Sequence, residues 1–243
     1  MKYSLLSPER NFEHHLDLGD DKDSVVVVGD FGSGKTLVAS TLFITASGEP
    51  KTPKQTLRGK FPVAVWLGEG ATSELVYNDN EKTEVVYYPY DMDNVPNFMT
   101  YTSTKQIPTA CALATGHLVY ASNLGTLLLQ MKSEHYANFV GFMSNYVPGM
   151  RINPAEVNAS LAYINKLYPP VASTIGKLFS IYLVVSSAHL AILDVTNPGI
   201  SDLQWACFHE GLTLLAKQRS IKLITFNQKH RSENALYSRM CFL

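Results

Sequence analysis

The sequence predicts an α/β protein with a mainly parallel sheet flanked by helices, and three observations carry that prediction. Short apolar runs alternate with longer helical patterns along the 243 residues. Those runs are nearly continuous in Val, Ile, Leu and Ala instead of alternating with polar residues, as expected for strands covered on both faces. The third is the stretch Val25-Val26-Val27-Val28-Gly29-Asp30-Phe31-Gly32-Ser33-Gly34-Lys35-Thr36, which fits G-x-x-x-x-G-K-[ST] between an apolar strand and a helix-compatible run, Leu37 to Ile44.

That stretch dictates a chemistry. A buried strand ends abruptly, and glycines let the backbone curl so that its N–H groups point inward at phosphates. The following helix aims its positive end at the same anion. Lys35 is placed to reach the outer phosphates, and the Thr36 hydroxyl to hold Mg²⁺. Gly29, Asp30, Phe31, Gly32, Ser33, Gly34, Lys35 and Thr36 are therefore the expected binding loop for ATP or another nucleoside triphosphate.

Five core strands are expected, at Ser24–Gly29, Pro62–Gly68, His117–Ser122, His189–Thr196 and Ile221–Phe226. Asn153-Pro154 opens a helix as N-cap and first helical residue, and the helix stops before Pro169-Pro170. Thr174–Ser187 and Leu203–Gln218 read as further helices. Tyr77–Tyr101, rich in Tyr, Asn and acidic residues, reads as an irregular insertion or a small antiparallel ribbon. Residues 1–23 are expected to be a short extension, and 24–243 a single domain ending in a basic hairpin.

Bulk properties narrow the class. The net charge of −1 offers no global field for nucleic acid, so any polyanion contact must be local. Three widely spaced cysteines suggest reduced thiols, with neither a disulfide frame nor metal-ligand spacing. Residues 1–24 are interspersed with charge, and no secretory leader is expected. Leu178–Leu193 lacks charge but is only about 16 residues, short of the roughly 20 that span a bilayer. A buried helix followed by a buried strand accounts for it, and no membrane partner is expected.

Hydrolysis needs a carboxylate on the Mg²⁺ side and a group that activates water. Leu190-Ala191-Ile192-Leu193-Asp194 is an apolar run closed by an acid, so Asp194 reads either as that carboxylate or as the close of a strand into a turn. Glu69, after Gly68, reads as general base or as a solvated strand end. Asn197 reads as a γ-phosphate contact or as part of an Asn-Pro turn. Lys217, Arg219, Lys222, Lys229, Arg231 and Arg239 make the C-terminal segment basic. There Arg239 reads as an arginine finger or as part of a solvated edge strand.

Taken in order, Gly29–Thr36, Gly68-Glu69, Asn197-Pro198 and Tyr237-Ser238-Arg239 resemble the hexameric packaging NTPases of cystoviruses, the segmented double-stranded RNA bacteriophages. The resemblance runs from about residue 24 to the end. It implies a RecA-like P-loop core, a homohexamer on a viral procapsid and NTP-driven translocation of single-stranded RNA, in the virion or the host cytoplasm. It also implies Glu69 as catalytic base and Arg239 as a finger acting across subunits. Two positions depart from the family. Its Asp-Ser would fall at Ala121-Ser122, leaving Asp194 to supply the acid. The loop after Asn-Pro, Gly199 to Trp205, has no lysine, leaving Gln204 or Trp205 for RNA.

Other classes fit parts of the chain. FtsK/HerA-type DNA translocases carry Asp-Glu where this chain has Asp194-Val195. Small-molecule kinases use acceptor and lid arginines mid-chain, but residues 61–150 contain no Arg. A non-catalytic NTP-binding structural subunit fits the vacancy at Ala121.

Overall fold

The computed structural model describes residues 1–20, 23–47, 67, 70–77, 81–87, 99–103, 111–115, 118–121, 133–152, 174–195, 199–228 and 240–243. Two sheets and a set of helices are stacked in layers. The first sheet is antiparallel, in the order β2 (Phe12–Asp17), β1 (Lys2–Ser7), β4 (Ala71–Tyr77), β5 (Glu81–Tyr87), β6 (Met99–Ser103). The second has the order β11 (Met240–Phe242), β3 (Ser24–Gly29), β10 (Lys222–Gln228), β9 (Leu190–Asp194), β7 (Cys111–Thr115), β8 (Leu118–Ala121). Its first five strands are mutually parallel, and β8 closes the far side antiparallel to β7.

Helix α1 (Lys35–Ser47) lies between the two sheets. Val38, Leu42 and Phe43 pack there with Tyr3, Leu5 and Leu75 of the antiparallel sheet and with Val25, Val27, Ile192 and Ile224 of the parallel one. A helix covered on opposite sides has no polar face, and every residue from Val38 to Ala46 is buried. Its hydroxyls must then find partners inside. Thr41 and Thr45 bond back to carbonyls of their own helix, while Tyr3 and Ser73 link them to the antiparallel sheet.

The opposite face of the parallel sheet is covered by α2 (Ser133–Tyr146), α3 (Thr174–Ser187) and α4 (Asp202–Gln218). Phe139, Phe142, Phe179, Tyr182 and Phe208 interlock there above Ala191, Leu193 and Leu223. Such tilted and edge-on ring pairs are each worth about 0.5–1.5 kcal/mol beyond their buried area. Helix α4 begins where its capping box dictates: Ser201 Oγ accepts from the Gln204 backbone N–H, and Gln204 Oε1 from that of Ser201.

The α/β class and the expected elements at Ser24–Gly29, Thr174–Ser187, Leu203–Gln218 and Ile221–Phe226 appear within two residues of their expected bounds. The uncharged run Leu178–Leu193 divides into the end of α3 and most of β9. No helix among the described residues is long and apolar enough to cross a membrane. Within Tyr77–Tyr101, read as an irregular insertion or a small antiparallel ribbon, Glu81–Tyr87 is β5, paired antiparallel with β4, which ends at Tyr77, and with β6, which begins at Met99.

Other expectations need correction. The parallel strand beside β9 is β7 at Cys111–Thr115, a segment outside the five expected strands. Residues 62–66 and 68 lie outside the described residues, and Leu67 is helical and buried. The expected His117–Ser122 strand is β8, an antiparallel neighbour of β7. Residues 2–17, expected to be part of an extension, form a hairpin of the antiparallel sheet. β10 is paired with β3 on one edge and with β9 on the other, and residues 235–239, the expected return strand of the basic hairpin, lie outside the described residues; β11 runs parallel to β3. Lys222 is no part of a basic surface, because it is buried and its ammonium donates to the carbonyls of Leu18 and Asp20. The expected helix opening at Asn153 lies outside the described residues.

Candidate nucleotide-binding site

Strand β3 ends at Gly29, and the chain turns through residues 30–34 into α1. Gly32 and Gly34 have φ of +82° and +86°, values that a side chain would strain. A Cβ at Gly29 would stand 2.5 Å from Ser33 Oγ and 3.2 Å from Leu243 Cβ, so a larger residue there would make the Ser33 hydroxyl turn away. The Ser33 N–H donates to the Asp30 carbonyl at 3.2 Å, and the first turn of α1 is secured by Val38 N–H to Gly34 O at 2.9 Å. Lys35 folds back over the loop, its ammonium donating to the carbonyls of Gly29 (3.0 Å) and Asp30 (2.6 Å). The cation thus stands at the loop mouth, beside the positive end of α1. Phe31 is the outlier, 93% exposed at the loop tip.

Asp194 closes β9, and its carboxyl lies beside the Thr36 side chain and within the field of Lys35. Burial pushes its carboxyl above the ordinary range; the neighbouring Thr36 hydroxyl and the Lys35 charge pull it back. The sheet brings the two residues together. Strand β10 lies between β3 and β9, so the phosphate loop and the acid stand at the same carboxyl edge, where ligands bind in open α/β sheets. Oxygen donors from a hydroxyl and a carboxylate suit Mg²⁺, which takes few protein ligands and keeps water or phosphate oxygens for the rest.

The hairpin of β1 and β2 supports the loop from the other side. The Phe12 ring lies 3.3–3.4 Å from where a Gly34 Cβ would be, with His14 edge-on to it at 4.3 Å between centroids. Sequence reasoning missed this support, because Phe12 lies twenty-two residues before Gly34 and only the sheet pairing brings them together.

The remaining expected site residues fare differently. Glu69, Asn197 and Arg239 lie outside the described residues. The neighbours of Glu69 sit beside the β1–β2 turn: the Leu67 carbonyl accepts from Ser7 Oγ at 2.5 Å, and Gly70 is adjacent to Pro8. Trp205, expected as an RNA-stacking residue, is buried against Phe208 and His209. Gln204 is held in the α4 capping box. Val195, where some translocases carry a second acid, is buried.

A glycine loop with its lysine, a strand-end acid beside the loop's threonine, and a parallel sheet with one strand between them define a P-loop NTPase fold of the RecA-like kind. No family model matches the chain, and no curated protein does. Among solved structures it is similar to an ABC transporter ATP-binding protein from Pyrococcus furiosus, at 15% identity and a TM-score of 0.35, covering 100% of this chain and 98% of that one. At that level the likeness adds nothing to the loop and the sheet order, on which the class rests.

Proposed function

We propose that this protein hydrolyses a nucleoside triphosphate, and that it does so as a ring-shaped motor. The observation that carries the first statement is the placing of Asp194, an acid from a different strand, beside Thr36 and Lys35 of the phosphate loop. A loop that only bound an anion would need no such acid. The loop amides and the Lys35 ammonium would hold the outer phosphates. Thr36 and Asp194 would hold Mg²⁺, which supplies charge neutralisation on the transferring phosphoryl group. Glu69 is proposed as the group that takes the proton from the attacking water, and Asn197 as a contact to the terminal phosphate.

The finer reading is a homohexameric viral genome-packaging motor that moves single-stranded RNA into a procapsid, completed in trans by Arg239. Its support is the order of short motifs in the sequence. With Trp205 buried and Gln204 occupied in a cap, RNA contact would come from other residues.

The test is nucleotide binding and turnover with Mg²⁺ by wild-type protein, Lys35→Ala and Asp194→Asn. Lys35→Ala should lose most nucleotide affinity. Asp194→Asn should still bind nucleotide, need more Mg²⁺ and turn over at least about 10²-fold more slowly. Unchanged turnover in Asp194→Asn would return this residue to the role of a strand end, and unchanged binding in Lys35→Ala would remove the nucleotide reading itself.

A further inference from the structure

The hairpin of β1 and β2 closes on one registered pair, Ser7 opposite Phe12. Directly opposed residues of antiparallel strands point to the same face, so the two side chains stand side by side. Each makes a contact outside the hairpin, and the two contacts go to different segments. The Phe12 ring packs at Gly34 of the phosphate loop. Ser7 is fully buried, and its hydroxyl donates to the buried Leu67 carbonyl at 2.5 Å. The turn beyond the pair, closed by Asn11 N–H to the Pro8 carbonyl, adds a third contact: Pro8 Cγ lies 3.9 Å from where a Gly70 Cβ would be.

Leu67 and Gly70 bracket Gly68 and Glu69 in the sequence. The hairpin therefore holds the chain just before and just after the residue proposed above as the base. Gly70 has φ of +72°, which glycine adopts freely, and the chain then enters β4 alongside β1. Tyr3, Leu5 and Ser7 alternate inward along β1. Tyr3 directs its hydroxyl to Thr41 of α1, and Ser7 directs its own to the backbone of the 67–70 segment. A bond to a main-chain carbonyl fixes backbone, and with it the residues next along.

We propose that the closing pair of this hairpin sets the segment from Leu67 to Gly70 against the phosphate loop, Ser7 acting as a positioning residue for turnover and Phe12 as one for nucleotide affinity. The inference rests on the nucleotide reading and on the assignment of Glu69, and deepens both. One rigid pair touching both segments gives them a common reference, which a reaction between a water and a bound phosphate requires.

The experiment measures kcat for ATP with Mg²⁺, and equilibrium affinity for a non-hydrolysable ATP analogue. It uses wild-type protein, Ser7→Ala, Ser7→Thr, Pro8→Gly, Phe12→Ala, Tyr3→Phe and Glu69→Gln. Ser7→Ala should lower kcat about tenfold or more and leave analogue affinity within about twofold, since a displacement on the order of 1 Å is enough to slow the chemistry. Ser7→Thr keeps the donor and should restore most of the lost turnover. Phe12→Ala should weaken the analogue about tenfold, because the ligand must then order the loop. Pro8→Gly, at an exposed turn position, carries the test if Ser7→Ala does not fold, and should lower kcat at unchanged affinity. Tyr3→Phe removes a buried hydroxyl from the same face of β1 and should keep wild-type kcat. Wild-type kcat in Ser7→Ala and Pro8→Gly overturns the inference alone, provided Glu69→Gln is slow. So does an equal loss of turnover in Tyr3→Phe, which would make Ser7 a general support of the fold. Full turnover in Glu69→Gln removes the base and this inference with it, and leaves nucleotide binding standing. Wild-type protein that does not bind the analogue overturns the nucleotide reading as well.

Discussion

At the scale of single residues, buried polar groups are governed by what they touch. Asp194 combines burial, which favours its neutral form, with Thr36 and Lys35, which favour its anion. That balance suits an acid whose work depends on an incoming cation. His209 is the opposite case. It is buried where α4 meets β10, its Nε2 2.9 Å from Thr225 Oγ1, and burial holds its imidazole down at about 4. The ordinary value is near 6.5, so the unfolded chain takes up the proton first. The stabilisation from a neutral His209 is then fully present above about pH 6.5 and is lost as pH falls towards 4, by an amount on the order of 2–3 kcal/mol. Urea unfolding of wild-type protein and His209→Gln at pH 7.5 and pH 5 should show a smaller acid loss in the variant. Equal losses would place the acid sensitivity elsewhere.

Among elements, α2 and α4 meet closely at Gly211. A Cβ on Gly211 would fall 2.6 Å from Tyr146 Cγ and 2.8 Å from Phe142 Cζ, so the two helices approach over a bare backbone. The rings cannot retreat freely, because Phe142 also packs on Tyr182 and Phe208. Gly211→Ala gains about 1 kcal/mol of helix propensity and meets an overpacking cost of about 1–3 kcal/mol. The expected net effect is a destabilisation of up to about 2 kcal/mol, read as a lower urea midpoint at unchanged slope. A more stable variant would mean that the helices part easily. Helix α1 is an element whose sequence looks indistinct on its own, since its amphipathicity is erased by burial between two sheets.

At the scale of the whole molecule, the proposed motor makes two demands that one subunit does not answer. A ring should assemble, and a guanidinium should reach a neighbour's nucleotide. Mass measurement with and without Mg-ATP should find a species near six times 26.9 kDa. A monomer that hydrolyses ATP at full rate would end the ring reading. Arg239→Ala should bind nucleotide and turn over poorly, and mixing it with Lys35→Ala should restore some activity at interfaces that keep both residues intact. Mixtures that stay inactive while subunits demonstrably exchange would assign Arg239 to its own subunit or to none.

The sequence by itself determined the α/β class and the phosphate loop, because each is written in consecutive residues, and it offered Asp194 as an acid closing an apolar run. Four β-branched residues before a glycine loop and an apolar run before an acid are local signals, and so is the capping pair Ser201 and Gln204. Strand order was decided only by tertiary pairing. Nothing local distinguishes Cys111–Thr115 as the parallel neighbour of β9, or sets Met240–Phe242 beside β3 instead of β10. The N-terminal hairpin was likewise hidden, since its alternation acquires meaning only when Tyr3 and Leu5 find α1 and Phe12 finds Gly34. Burial overrode composition for Lys222 and Trp205, a cation and an indole that the sequence offered to the surface.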